Sequence, residues 1–362
     1  MKIGIYLLFL CEICFEISKA DIKPKSPKKD KWLYFLGKNK NISISEEWHQ
    51  HKNDSKPLEE QSFEDLTLHN FTEKTANFGF NLYRKIAMKT DNNIIISPFS
   101  VSTLMATYLL AAEGETQRQI AKALNLHALK DRDRHYLPAL FKQLKDNITT
   151  NEEVLFVQGK WLYPFNSKFT EMETFHINKY RSVQVPMMFK SDKINSTYDE
   201  NLRCYVIKLP YKGKAYMLIV IPEKGEDYVS LEDHLTMELV ESWLTNMKSR
   251  NIDISFPKFK LEQKYKMKKL LYALGIKNLF ARTADLSHLT DQKYITVSQV
   301  VQKAVIEVDE KGTEAAAATG SEIIAFSAPP VIKVDRPFLF MIFEETFKTL
   351  LFIGRVVDPT EL

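Results

Sequence analysis

GTEAAAATGSEIIAFSAPP, residues 312–330, opens on small side chains and closes on a double proline. Ahead of it, Ala304, Ile306 and Val308 alternate with charged or polar neighbours in KAVIEVDE, the period-two pattern of a strand. Behind it, VIKVDRPFLFMIF (331–343) and TLLFIGRVV (349–357) read as two further strands. A long stretch held between strands reads as an exposed loop on which a partner acts. Its four alanines also have a plainer reading, because such a run favours a short exposed helix.

The surrounding chain has the means to build a core. Its 362 residues are 44% hydrophobic and 12% aromatic, enough for one large domain or two ordinary ones. Lys and Arg number 50 against 46 Asp and Glu, so the net charge of +4 gives no global argument for nucleic acid.

Residues 1–20 read as a secretory signal peptide: Lys2, an apolar run through Leu7, Leu8, Phe9 and Leu10, then Ser18-Lys19-Ala20 as a small-residue cleavage site. The run is too short for a membrane span. Cys11 and Cys14 would leave with it, and Cys204 would then have no partner for an intramolecular disulfide. Asn41, Asn53, Asn70, Asn147 and Asn195 each stand two residues before Ser or Thr, as glycosylation acceptors of a secreted protein do. Residues 21–70 are polar and lysine-rich, with Pro24, Pro27 and Pro57, and read as an extended tail. His49 and His51 in that tail have no further ligands at metal-site spacing, so neither a metal nor a small-molecule cofactor is expected.

From Phe71 onward the pattern changes. Phe78, Leu82 and Ile86 share a helical face, Ser97-Pro98 opens a second helix, Ile120 and Leu124 mark a third, and Leu137, Leu140, Phe141 and Leu144 a fourth. After Asn151 strands dominate: VLFVQGKW, VQVPMM, CYVIKLP and YMLIVI. Leu231, Leu235, Leu239, Trp243 and Met247 then predict one helix, IDISFPKFKL one strand, and residues 267–274 a helix stopped at Gly275. Helices followed by strands with single helices between them predict an α+β domain with large, mainly antiparallel β-sheets.

Catalytic signatures are absent. There is no G-x-S-x-G, H-E-x-x-H, phosphate-cradling glycine loop or dinucleotide fingerprint, so no enzymatic activity is expected. Glu344-Glu345 reads as a solvated strand end, because adjacent strand residues point to opposite faces.

EVDEKGTEAAAAT (307–319), the strand VIKVDRPFLFMIF and the ending LLFIGRVVDP closely resemble the serpins, and NIIISPFSVS, VQGKW and FPKF match the same family in the same order across residues 71–362. The resemblance implies that the loop is bait for a serine protease and, once cut, inserts as a strand in the main sheet, a behaviour that is a standard example of strand addition. In the hinge that opens at Gly312, Thr313, Ala315, Ala317 and Thr319 would share one face, all small; Glu314, Ala316, Ala318 and Gly320 would share the other, where the only charge lies. About ten residues gaining ~1 kcal/mol each would release on the order of 10 kcal/mol before the ordering cost. Withdrawing one oxyanion-hole donor costs a protease only ~3–4 kcal/mol, so a tethered acyl-enzyme can be stalled.

By the family's spacing the cut falls at Phe326-Ser327, and an aromatic suits the deep apolar pocket of a chymotrypsin-like protease. TEKTANFGF, TFHINKY, VPMM and LEDHLT narrow the resemblance to serpins that inhibit coagulation factor Xa with protein Z as bridging cofactor. On that resemblance Tyr180 and Asp233 would meet protein Z, a plausible hot-spot composition. Lys130, Arg132, Arg134, Lys142 and Lys145, or Lys264, Lys266, Lys268 and Lys269, would attract heparin-like polysaccharide, although both runs also read as solvated faces. The alternative function is a non-inhibitory serpin-like carrier or inactive isoform.

One departure stands out. Between Lys145 and Val154 the family carries several dozen residues that form helices and main-sheet strands, where this chain has only residues 146–153. The shortened chain is therefore predicted to be less stable than a full-length serpin and to trap protease inefficiently. Quantitative covalent trapping would contradict this.

Overall fold

The computed structural model describes residues 13–14, 68–127, 137, 140, 143–144, 159–290, 294–310 and 329–361. The described helices are α1 (Leu68–Ala87), α2 (Pro98–Ala111), α3 (Gly114–Ala123), α4 (Tyr228–His234), α5 (Met237–Asn246) and α6 (Lys268–Ala273). Ser97 caps α2 by accepting from Ser100 N, and Pro98 sits where its missing N–H costs nothing. Leu137, Leu140, Gln143 and Leu144 are helical, with Leu137 and Leu144 buried, as the fourth periodic stretch predicts. The first helix begins at Leu68, slightly ahead of the boundary read from the sequence.

Strands β1 (Ile13–Cys14), β2 (Ile94–Ile96), β3 (Glu171–His176), β4 (Ser182–Asp199), β5 (Cys204–Pro210), β6 (Ala215–Pro222), β7 (Lys248–Pro257), β8 (Phe259–Lys266), β9 (Gln299–Val308), β10 (Val331–Lys333), β11 (Phe338–Glu344) and β12 (Leu350–Val356) form two sheets. The larger runs β10-β7-β4-β5-β6-β11-β12-β2, with β3 beside β4; among the described residues only β10 on β7 is parallel. The smaller runs β1-β9-β8. Among the described residues, the side of β9 away from β8 is laddered at Gln299 and Val300, by Cys14 and Ile13.

Five sequence expectations are corrected. The helix expected over 231–247 is two: Leu235 is extended, and Thr236 starts α5 by accepting from Leu239 N. IDISFPKFKL is two strands in different sheets, because Lys258 leaves β7 and donates its N–H to Pro186 O. VIKVDRPFLFMIF likewise divides into β10 and β11 around Asp335-Arg336-Pro337. In VLFVQGKW, residues 154–158 lie outside the described residues, and Trp161 forms an isolated bridge to Tyr211 rather than a strand. Glu344, expected to be solvated, is buried and accepts from Thr346 N and Phe347 N at 2.7 and 2.8 Å; only Glu345 is exposed, beside Lys208.

β6, β11 and β12 are buried along their whole lengths. Gly354 in β12 permits this closeness, since a Cβ there would lie 2.2 Å from Ile94 O and 2.5 Å from Phe340 Cζ. Next to it Arg355, 1% exposed, meets Glu232 of α4 at 2.9 and 3.0 Å and donates to Asn92 O and Thr90 O. Tyr83 of α1 donates to the same carboxylate at 2.5 Å. Burial pushes the Tyr83 hydroxyl pKa up, and Glu232 adds to the effect. Arg355→Ala would leave Glu232 buried without its cation, and is expected to cost about 3–5 kcal/mol in urea unfolding. A Glu232→Leu/Arg355→Met pair should cost less than either partner's truncation alone.

Candidate functional site

The segment from Lys311 to Ala328, with the predicted hinge Gly312–Ala318 and the bond Phe326-Ser327, lies outside the described residues. Its two ends are built in detail. At the entry, β9 delivers Asp309 and Glu310 to a polar and aromatic clamp. Thr170 donates to Glu310 Oε1 at 2.7 Å and Lys258 Nζ to Oε2 at 2.8 Å. Trp161 Nε1 donates to Asp309 O at 3.0 Å, while its ring stacks on Tyr211 at 4.5 Å and meets Phe165 edge-on at 6.2 Å. The clamp thus grips both the backbone and the side chain of the last residues before the loop.

At the exit, Pro330 O accepts from Asp253 N at 3.1 Å and β10 pairs Val331 to Lys333 with Asp253 to Ser255. Val334 N continues the ladder to Ser255 O at 2.9 Å, and Asp335 O accepts from His176 N at 2.7 Å. Arg336 fixes the following turn through Pro222 O at 2.7 Å and Asp335 at 2.8 Å. Lys333 also pairs with Glu173 of β3. Burial raises the Glu310 pKa, but the bonds from Lys258 and Thr170 outweigh it, so the carboxyl stays below its usual value.

Tyr180 is 97% exposed on the tight β3–β4 turn, where Asn178 Oδ1 accepts from both Tyr180 N and Arg181 N at 2.9 Å. Arg181 reaches Asp358 at 2.9 Å, and Asn93 holds the backbone of Val357 and Asp358 at 2.7 and 3.0 Å. Asp233 is exposed on α4, directly after the buried Glu232. Both predicted cofactor-protein residues are therefore presented on anchored backbone. Asn195 is exposed on β4, and Asn70 is half-buried on the first turn of α1; Asn41, Asn53 and Asn147 lie outside the described residues. So do Lys130, Arg132, Arg134, Lys142 and Lys145. Lys264, Lys266 and Lys269 are exposed, whereas half-buried Lys268 sits over the Phe280 ring at 5.5 Å.

Sequence reasoning missed the entry clamp. EVDEKG and FPKF contain Glu310 and Lys258, but nothing local shows that residues 52 apart in sequence would meet. Cys204 is buried, and burial pushes its thiol up to about 12, aided by Asp199, so it is an unreactive core side chain. Among the described residues, no group of three or more His, Cys, Asp or Glu side chains is placed to hold a metal, and no helix is long and apolar enough to cross a membrane.

A loop clamped at both feet on a mixed α+β scaffold defines the class: the chain belongs to the serpin family, whose model, described as serine protease inhibitor, matches residues 73–155 and 152–359. Within it the similarity extends to a mouse protein named protein Z-dependent protease inhibitor, 42% identical over 368 aligned positions that span 80% of this chain and 82% of that one. Those positions exceed the residues this chain contributes, so several dozen positions of the relative have no counterpart here. The crystal structure of mouse protein Z-dependent protease inhibitor matches with a TM-score of 0.75 at 39% identity, covering 81% of this chain and 98% of that one. Human thyroxine-binding globulin complexed with its hormone matches at 0.68 and 25% identity, covering 81% and 100%.

Glu310→Gln is expected to lower stability by about 1–2 kcal/mol at neutral pH. That is the lower part of the range for hydrogen bonds to charged groups, because Lys258 is 35% exposed. A depressed folded-state pKa contributes stability above the unfolded value near 4.3, which is lost as pH falls through the folded value. The parent's advantage should therefore be full above the ordinary carboxylate value of about 4.3 and shrink progressively as pH falls below it, as thermal melts across pH would show.

Proposed function

We propose that the chain is a secreted serpin whose loop is the substrate of a serine protease, cut between Phe326 and Ser327, and that it regulates coagulation by acting on factor Xa with protein Z as bridging cofactor. The observation that carries the reading is the double anchorage of the 311–328 segment, by Glu310 and Asp309 at one end and by Pro330 and β10 at the other. Such anchoring offers a bond to a protease cleft while leaving the intervening chain available to insert. The similarity to protein Z-dependent protease inhibitors supports the choice of protease and cofactor. Tyr180 and Asp233, exposed on anchored backbone, are the contacts proposed for protein Z. The signal-peptide pattern and the sequons support secretion and glycosylation, with exposed Asn195 an accessible acceptor. Heparin-like polysaccharide is a further proposed ligand, through Lys130, Arg132, Arg134, Lys142 and Lys145.

A second reading has its own observations. The small sheet, as described, holds β8, β9 and the two-residue β1, and a similar scaffold binds thyroxine in thyroxine-binding globulin. On that reading the loop is cut without trapping anything. Mixing the purified chain with factor Xa, with and without protein Z and phospholipid, and separately with chymotrypsin, separates the two. The first reading predicts cleavage after Phe326 with a minor denaturant-resistant adduct that protein Z increases. Cleavage with no adduct favours the second, and an uncut loop rules out the bait role.

A further inference from the structure

We infer that Arg181 and Asp358 are positioning residues for the protein Z contact, their ion pair pinning the turn that presents Tyr180 to the C-terminal end of the core. The inference rests on the proposed binding of protein Z at Tyr180 and adds the residues that hold that contact in place.

Tyr180 is 97% exposed, so the direction of its ring is set by the backbone beneath it. That backbone is the turn 177–181, and its closure is local. Arg181 O accepts from Ile177 N at 3.0 Å and from Asn178 N at 3.2 Å, while Asn178 Oδ1 accepts from the N–H groups of Tyr180 and Arg181. Such bonds fix the shape of the turn but not its place on the molecule. Its place is set from outside: His176 N donates to Asp335 O just before the turn, and Arg181, the last residue of the turn, donates to Asp358 Oδ2 at 2.9 Å.

Asp358 is a fixed anchor. Its carboxylate is 4% exposed, whereas Arg181 is 57% exposed, and its other oxygen accepts from Thr360 N at 3.0 Å and Thr360 Oγ1 at 2.6 Å. Its backbone is held by the buried side chain of Asn93, which accepts from Val357 N and Asp358 N and donates to Asp358 O at 2.7 Å and Glu361 O at 3.1 Å. Those four bonds use the two donors and both lone pairs of an amide. An ion pair with one rigid end orders only the arginine, unlike a surface pair between two mobile side chains. The segment that carries Asn93 also reaches the second proposed contact: Asn92 O accepts from Arg355 at 2.9 Å, and Arg355 pairs with Glu232, the residue before Asp233. The pair thus seats Tyr180 on the same support as Asp233.

The test is surface plasmon resonance of protein Z on the immobilised full chain. Arg181→Gln and Asp358→Asn are each expected to weaken binding about fivefold, as when ordering is left to be done on association. The loss should lie in slower association at nearly constant dissociation, because a loosened turn spends less time in the binding orientation. The two substitutions change the net charge in opposite directions, so electrostatic steering alone would move the association rate up in one and down in the other. The brace predicts a fall in both. The double variant should bind no more weakly than either single one, and Arg181→Lys, which keeps the ion pair, should recover most of the affinity. Arg203→Gln, at an exposed arginine paired with Glu223 and Glu226, is the control and should leave binding unchanged. If Asp358→Asn lowers the melting temperature globally, Arg181→Gln and Arg181→Lys decide alone. Opposite shifts in association rate, or faster dissociation in Arg181→Gln, would make Arg181 a steering or direct contact and overturn the positioning role. Parental kinetics in the substituted chains would overturn it while leaving the protein Z reading intact. A parent chain that does not bind protein Z would remove that reading, and the positioning role with it.

Discussion

The carboxylate of Glu310 sets the geometry on which the loop depends. It is buried where β9 ends, and Thr170 and Lys258 saturate it from two directions. Without them a carboxylate at that depth would carry an uncompensated desolvation cost. With them, the direction in which the chain leaves the small sheet is fixed. Trp161 adds a backbone bond to Asp309 O and a stacked aromatic floor, so the residues that follow β9 up to Glu310 are held from both backbone and side chain. The exit is fixed differently, by a parallel three-residue ladder on β7 and by Arg336. One end is thus a side-chain clamp and the other a backbone ladder.

The same division runs through the scaffold. The strands buried along their length, β6, β11 and β12, make the interior, and the buried ion pair tied to them, Arg355 with Glu232, is closed by Tyr83. Arg355, Glu232 and Tyr83 tie β12 to α4 and α1, and Asn93, Asp358 and Arg181 extend polar contacts to the Tyr180 turn. Asp233 and Tyr180 therefore stand at opposite ends of one connected set of buried and half-buried bonds. Two surface residues proposed to meet a single partner gain most from being held in fixed relation, because less ordering remains to be done on binding.

Much of this was legible in the sequence where local chemistry decides structure. Ser97-Pro98 marks a helix start by a cap and a tolerated proline, and Gly275 marks a stop by its positive φ of 96°. Alternation in 252–256 predicts a buried strand face, and Ile252, Ile254 and Phe256 are buried. Periodicity misled where an apolar repeat continues across a break: Leu231 to Met247 keep helical spacing although Thr236 restarts the helix. Charge was misleading in the core. Glu344 looks like a solvated strand end but is buried and satisfies two turn N–H groups. The Glu310 clamp was hidden for another reason. Its parts come from residues 161, 170, 258 and 310, and only the fold brings them together.

The small sheet decides how far the bait can act. In the proposed mechanism the cut loop adds a strand beside β9, and several dozen positions of the mouse relative have no counterpart in this chain. The most direct measurement is the melting temperature of the chain before and after cleavage at Phe326-Ser327. Insertion beside β9 predicts a rise of roughly 10 °C, equivalent to about 6 kcal/mol at ~2.1 cal/mol/K per residue for a domain of this size. An unchanged melting temperature after complete cleavage would contradict it.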